Sequence, residues 1–283
     1  MPQRLRTRIL LLAAVALAVA SGCSIRRLAY RFAPSLVMSA VDDAVGMTKA
    51  QKEWLRPQIA TTLAWHRREE LPRYIATIDE LRGRLASGLK EEDAHWARDA
   101  MRNAFMRAAG QIVPVASEFL VTLSPPQIDH LEKSAGKQRH ERDKEMELPV
   151  DKYVAKQGKI MTRQAEKWLG STLPAQRAAI DDYLRRTRPD ILASRQLQAE
   201  QSSDFFKLLR TRPSAGELSG MLIGLALRNA TGASRDVNAR LQGENEKLLA
   251  DLFHLATPAQ RKHLDVELVS LRSDLEAMSK DGS

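Results

Sequence analysis

Thr48-Lys49-Ala50-Gln51 opens the pattern that decides the fold: a hydroxyl and a glutamine amide three residues apart can each satisfy a backbone N–H at a helix start. The device recurs at Ser124-Pro125-Pro126-Gln127 and at Thr257-Pro258-Ala259-Gln260, with proline in the first turn, where its missing N–H costs nothing. A fourth copy, Leu173-Pro174-Ala175-Gln176, keeps the proline and the glutamine but has leucine at the cap, with Thr172 just before it. Seven residues beyond the four cap positions stand Leu55, Leu131, Ile180 and Leu264, one core contact for each helix. Two further starts are expected at Lys90-Glu91-Glu92-Asp93 and at Ser214-Ala215-Gly216-Glu217. No alternating pattern of useful length lies between these starts, and Ala, Leu, Arg, Glu and Gln dominate every window, so the chain reads as all-α, a bundle of seven to nine helices.

The spacing carries a weak repeat. Thr48 and Lys90 are 42 positions apart, Leu173 and Ser214 are 41 apart, and each interval is followed by another capped helix. Two similar halves, 47–170 and 171–283, would explain this, although ordinary bundle spacing does so too. Between them, Ile128 to Leu169 sets Lys137, Arg139, Arg142 and Lys144 among Glu141, Asp143, Glu145 and Glu147, which reads as a solvated helix face interrupted near Pro149. Gly216, Gly220 and Gly224 recur at every fourth position in a stretch too short to span a bilayer, which suggests close packing of one helix.

The N-terminal stretch gives an address. Arg4, Arg6 and Arg8 precede the apolar run Ile9 to Ala20, too short to span a bilayer, and Val19-Ala20-Ser21-Gly22-Cys23-Ser24 follows with the only cysteine. Small residues before a cysteine form a lipoprotein processing site, so residues 1–22 read as a signal peptide and Cys23 as the lipidated residue, although Ala20 stands where leucine is commoner. Ser24 rather than aspartate after the cysteine fits outer-membrane sorting, with the domain facing the periplasm. Residues 23–46 read as a membrane-proximal lead-in, in which Ile25, Leu28, Tyr30 and Phe32 interleave with Arg26, Arg27 and Arg31 within reach of the bilayer. Residues 47–283 then form the periplasmic helical domain.

Loss of the three leader arginines takes Lys+Arg from 44 to 41 against 35 acidic residues, leaving a modest net charge of +6. The basic residues are not arranged around stacking aromatics, and an exported chain has little access to nucleic acid, so an acidic lipid or glycan surface or a protein of the envelope is the expected partner. With Cys23 acylated, no thiol nucleophile and no disulfide remain, and stability must come from core burial.

Trp65-His66-Arg67-Arg68-Glu69-Glu70-Leu71-Pro72-Arg73-Tyr74 is the stretch richest in chemistry, in a helix whose apolar stripe runs through Leu55, Ile59, Leu63, Ile78, Leu81 and Leu85. On that count His66 and Glu70 fall on the buried side, one turn apart, where they can hydrogen-bond each other, line a ligand groove or share a metal, while Pro72 should bend the helix. No second histidine pair at helical spacing completes a coordination set, so neither a metal nor any other cofactor is expected. There is no Gly-x-Ser-x-Gly, Gly-x4-Gly-Lys-Ser/Thr, His-Glu-x-x-His or Gly-x-Gly-x-x-Gly motif, and the six histidines are scattered, so the expectation is a non-enzymatic protein.

These residues resemble a family of uncharacterised proteobacterial lipoproteins with a Trp-His-Arg-Arg-Glu-Glu-Leu-Pro-x-Tyr signature. The likeness takes in Cys23, Asp42-Asp43 ahead of Gln51 and Trp54, Trp65 to Tyr74, Leu123-Ser124-Pro125-Pro126-Gln127, and Trp168-Leu169-Gly170 ahead of Gln176, over about two thirds of the mature chain. It implies an envelope location and no particular activity. A looser similarity joins the Thr/Ser-x-x-Gln caps to the small periplasmic stress chaperones of the Spy and CpxP type, which implies a binding or chaperone-like role.

Overall fold

The computed structural model describes residues 23–88, 91–227 and 231–280; the signal segment 1–22 and the expected cap at Lys90 lie outside the described residues. Among the described residues the regular structure is entirely helical, in ten helices. Helices α1 (Cys23–Arg31) and α2 (Ala33–Val45) are followed by α3, which runs over Lys49–Trp65, widens at His66–Glu70 and resumes over Leu71–Ser87. Then come α4 (Glu91–Leu120), α5 (Pro125–Asp143), α6 (Val150–Leu169), α7 (Pro174–Arg210), α8 (Ala215–Ala226), α9 (Gly232–His254) and α10 (Pro258–Lys280). Ten exceeds the seven to nine expected because α1 and α2 form in residues 23–46, where the interleaved apolar and basic residues suggest only a lead-in.

The glutamines do more than cap. At Thr48 both halves of the reciprocal box form, Thr48 N–H to Gln51 Oε1 at 2.9 Å and Gln51 N–H to Thr48 Oγ1 at 3.2 Å, and the same holds at Thr257 with Gln260. At Leu173, whose hydrocarbon side chain accepts nothing, only the glutamine half operates. A box at Thr231 with Ser234 escapes the sequence search, because serine replaces glutamine or glutamate at the third position. The four amides then pair across helix starts. Gln51 and Gln127 exchange hydrogen bonds of 3.2 and 2.8 Å, and Gln176 and Gln260 exchange bonds of 3.3 and 2.9 Å. Each amide also donates to a distant backbone carbonyl, at Thr122, Gly46, Leu252 and Ser171 respectively, so all four capacities of each side chain are used. The same tertiary contact thus occurs twice.

The chain divides into two compact units interleaved along the sequence, so the split at 170/171 suggested by the repeat spacing bounds neither. Among the described residues, unit 1 comprises 23–88, 122–131 and 265–280, and buries Leu55, Ile59, Leu71, Ile78, Leu123, Ile128, Leu275 and Met278. Among the described residues, unit 2 comprises 91–121, 132–227 and 231–264. In it α7 packs on α6 and α9 around Met146, Tyr153, Val154, Ile180, Tyr183, Leu184 and Leu248, and α8 packs on α4. A Cβ at Gly220 would meet nothing within 4 Å, so the glycine row of α8 is not a close-packing seam there. The close approach is instead at Gly158, where an added Cβ would stand 2.6 Å from Asp181 Oδ1. Gly170, which ends α6, has a positive φ of 77° that glycine adopts without strain, with the His263 ring 3.1 Å from where a Cβ would sit.

Candidate functional site

Pro72 has no N–H for the carbonyl of Arg68, and its ring would clash with that carbonyl in a regular α-helix. The helix widens here: Leu71 N–H reaches back five residues to the carbonyl of His66, giving a π turn over His66–Glu70. Such turns re-aim side chains and recur at functional sites. The disturbance expected at Pro72 takes the form of a local widening.

The widened turn gathers aromatic rings around His66. The ring lies 5.7 Å from Tyr30, 5.6 Å from Tyr74 and 6.3 Å from Trp65, the last two edge-on. His66 Nδ1 is 2.9 Å from the Tyr30 hydroxyl, which comes from α1, 36 positions away. Burial pushes the Tyr30 hydroxyl up to about 12, against the opposing pull of Arg67, so it stays protonated near neutral pH. Burial also lowers the imidazole below its usual range; the charge of Glu70 opposes that shift and Arg67 adds to it. His66 is therefore neutral near neutral pH. The Arg67 guanidinium lies 5.5 Å from the Tyr30 ring centre, and its buried Nε makes no hydrogen bond.

Glu70 is fully buried and accepts from Arg73 Nη1 at 2.7 Å. His66 is bonded to Tyr30, and the charge of Glu70 acts on it from within the same turn. Arg68 and Glu69 pair at 3.1 Å on the exposed side of the turn. Of the signature residues, His66 and Arg67 meet Tyr30, Trp65 and Tyr74 lie edge-on to His66, and Arg68 and Glu69 face outward. Among the described residues no group of three or more His, Cys, Asp or Glu side chains could hold a metal ion.

Residues outside the signature complete the arrangement. Asp274, fully buried on α10, accepts from Arg26 Nη1 and Arg27 Nε, both at 2.8 Å, and Glu267 stands 3.9 Å from Arg26. Two of the three arginines expected to face the bilayer therefore turn into the protein. Sequence held one signal for this: Asp274 stands three residues after Leu271 and four before Met278, an acid on an apolar face. Helix α1 is thus fastened at one end by Arg26 and Arg27 and at the other by Tyr30, and the signature is the socket for the second fastening.

Unit 2 offers two surfaces of different chemistry. An open groove of about 460 Å³ is lined by Arg139, Arg142, Arg195, Gln138, Gln198 and Gln201, so the mixed-charge segment contributes a wall as well as a solvated face. On α4, Met101, Phe105 and Ile112 stand 68, 45 and 53% exposed, with Met106 beside them at 38%. Positions 101, 105 and 112 share one helix face, so these side chains form an apolar stripe with no cover among the described residues.

No described helix is long and apolar enough to cross a membrane. A family model described as a family of unknown function (DUF6279) matches residues 43–225, which include the widened turn and the caps at Thr48, Ser124 and Gln176. No curated protein and no solved structure matches the chain.

Proposed function

The chain belongs to that family of unknown function (DUF6279), and on this premise we propose that it is a lipid-anchored protein of the outer membrane, facing the periplasm, that binds exposed apolar segments of other envelope proteins without catalysing a reaction. The observation that carries the binding role is the α4 stripe of Met101, Phe105 and Ile112. Contiguous exposed apolar side chains mark partner surfaces, and methionine adapts its flexible thioether to many shapes. The anchor reading is supported by Cys23 at the end of the leader pattern and by Ser24 after it. The widened turn, whose His66 is neutral and engaged by Tyr30, supports a scaffold role for the signature.

The test uses the full mature chain mixed at equimolar amounts with a reduced, unfolded client whose aggregation is followed by light scattering. The chain should slow aggregation, and Met101→Ser/Phe105→Ser/Ile112→Ser should abolish the effect while helicity is unchanged. Equal protection by the variant would remove the stripe from the reading, and absence of protection by the native chain would remove the client-binding role. Metal analysis of the same preparation addresses the alternative site: zinc, copper or iron that disappears in His66→Ala would assign His66 and Glu70 to metal binding.

A further inference from the structure

Helix α1 presents its side chains in the reverse of the usual order for a water-facing helix. Ile25 and Leu28 on α1, and Phe32 in the turn just beyond it, fall at i, i+3 and i+7 and are 51, 53 and 52% exposed; the Phe32 N–H still bonds to the Leu28 carbonyl, which carries the helical register through position 32. Arg26, which would ordinarily reach water, is 4% exposed and spent on Asp274, with Arg27 bound to the same carboxylate. The inversion is enforced from both ends, because Tyr30 is held at the His66 socket. A helix so fastened cannot rotate to hide its apolar residues without breaking a buried ion pair, and breaking one leaves an uncompensated charge in the interior.

We propose that the face formed by Ile25, Leu28 and Phe32 lies in the boundary between headgroups and acyl chains of the bilayer that holds the lipid on Cys23, so that the protein sits at a fixed attitude on the membrane. The inference rests on the lipid-anchor reading of Cys23. Ile25 is two residues beyond Cys23, about 3 Å along the helix axis, which places the start of the apolar face within headgroup depth of the thioether. Arg31, exposed at the far end of α1, offers its charge to lipid phosphates. Short amphipathic helices bind interfaces through buried apolar area plus such contacts, and weak insertion suffices beside a covalent anchor. The buried Arg26, Arg27 and Asp274 cluster then transmits the orientation of α1 to α10, and the Tyr30 hydroxyl transmits it to α3.

The chain's single native cysteine makes the test direct, since an acylated Cys23 takes no thiol reagent. The full mature lipoprotein carrying Leu28→Cys or Phe32→Cys is labelled with an environment-sensitive nitrobenzoxadiazole dye and reconstituted into vesicles of phosphatidylethanolamine and phosphatidylglycerol. Emission from both positions should move to the blue and be quenched by nitroxides on the acyl chains, whereas a dye at exposed Asp43→Cys should remain open to aqueous iodide. Iodide access at positions 28 and 32 equal to that at 43 would overturn the proposal. So would a blue shift that appears without vesicles and grows with protein concentration, which would assign the face to a second copy of the chain. The number of dyes per chain, read by mass, tests the anchor separately: two dyes mean that Cys23 is free. In that case the same spectra on added vesicles still decide whether the face enters lipid.

Discussion

The duplicated glutamine pair permits an internal comparison, because one bonding pattern occurs in two solvent environments. Gln176 and Gln260 are 0 and 3% exposed, while Gln51 lies at the edge of its unit with most of its partners exposed. Gln176→Leu removes the acceptor of the Leu173 N–H, strands the Leu252 carbonyl, and takes one donor and one acceptor partner from Gln260. A buried polar group left unpaired costs about 1–3 kcal/mol, so at the lower end of that range the Leu173 N–H, the Leu252 carbonyl and the two vacancies on Gln260 give a loss of about 4 kcal/mol. Gln51→Leu breaks the corresponding bonds where water can replace them, and should cost about 1 kcal/mol. Urea unfolding followed by far-ultraviolet circular dichroism measures both, with an unchanged slope required for the midpoints to be comparable. The double change Gln176→Leu/Gln260→Leu should cost less than the sum of the singles, because two apolar side chains leave no unpaired amide between them. Equal losses at Gln176 and Gln51, or strict additivity in the buried pair, would refute the desolvation argument.

Two further outcomes follow from the same structure. Because burial lowers the His66 imidazole below 6.5, the unfolded chain takes up a proton near that pH which the folded chain refuses, and stability present above pH 6.5 is lost as pH falls toward the lowered folded value. The stability advantage of the native chain over His66→Gln should therefore shrink between about pH 7 and pH 5, and a pH-independent gap would contradict a buried neutral imidazole. Gly170→Ala forces a side chain into the left-handed region against the His263 ring and should cost about 2 kcal/mol, whereas Gly220→Ala, helical and facing open space, should be neutral or stabilising; a melting-temperature shift no larger for the first than for the second would contradict this.

What could be read without the fold were the features whose physics is local. A cap hydroxyl and a glutamine or glutamate three residues apart meet within one helical turn, so the starts at Thr48, Ser124, Thr257 and Ser214 are visible in the chain itself. The apolar period that made Glu70 a buried position is local too. Pro72 was legible as a disturbance, but the form it takes depends on what packs against the turn, and the structure shows a widening that holds Glu70 inside.

The socket itself was not legible, because its members are far apart in the chain. Tyr30 meets His66 across 36 positions and Arg26 meets Asp274 across 248, and nothing in their local patterns names the partner. From composition, Arg26 and Arg27 belong at an acidic bilayer surface; buried Asp274 competes for the same guanidinium groups in a drier place and takes them. The amino-acid sequence by itself determined an all-helical chain, the position of its caps and the residues of its signature, since hydrogen bonds within one turn require no distant neighbour. Tertiary structure alone decided that the four cap glutamines pair two by two, that His66 receives Tyr30, and that the apolar face of α1 points outward, because each of these depends on which helices the fold brings side by side.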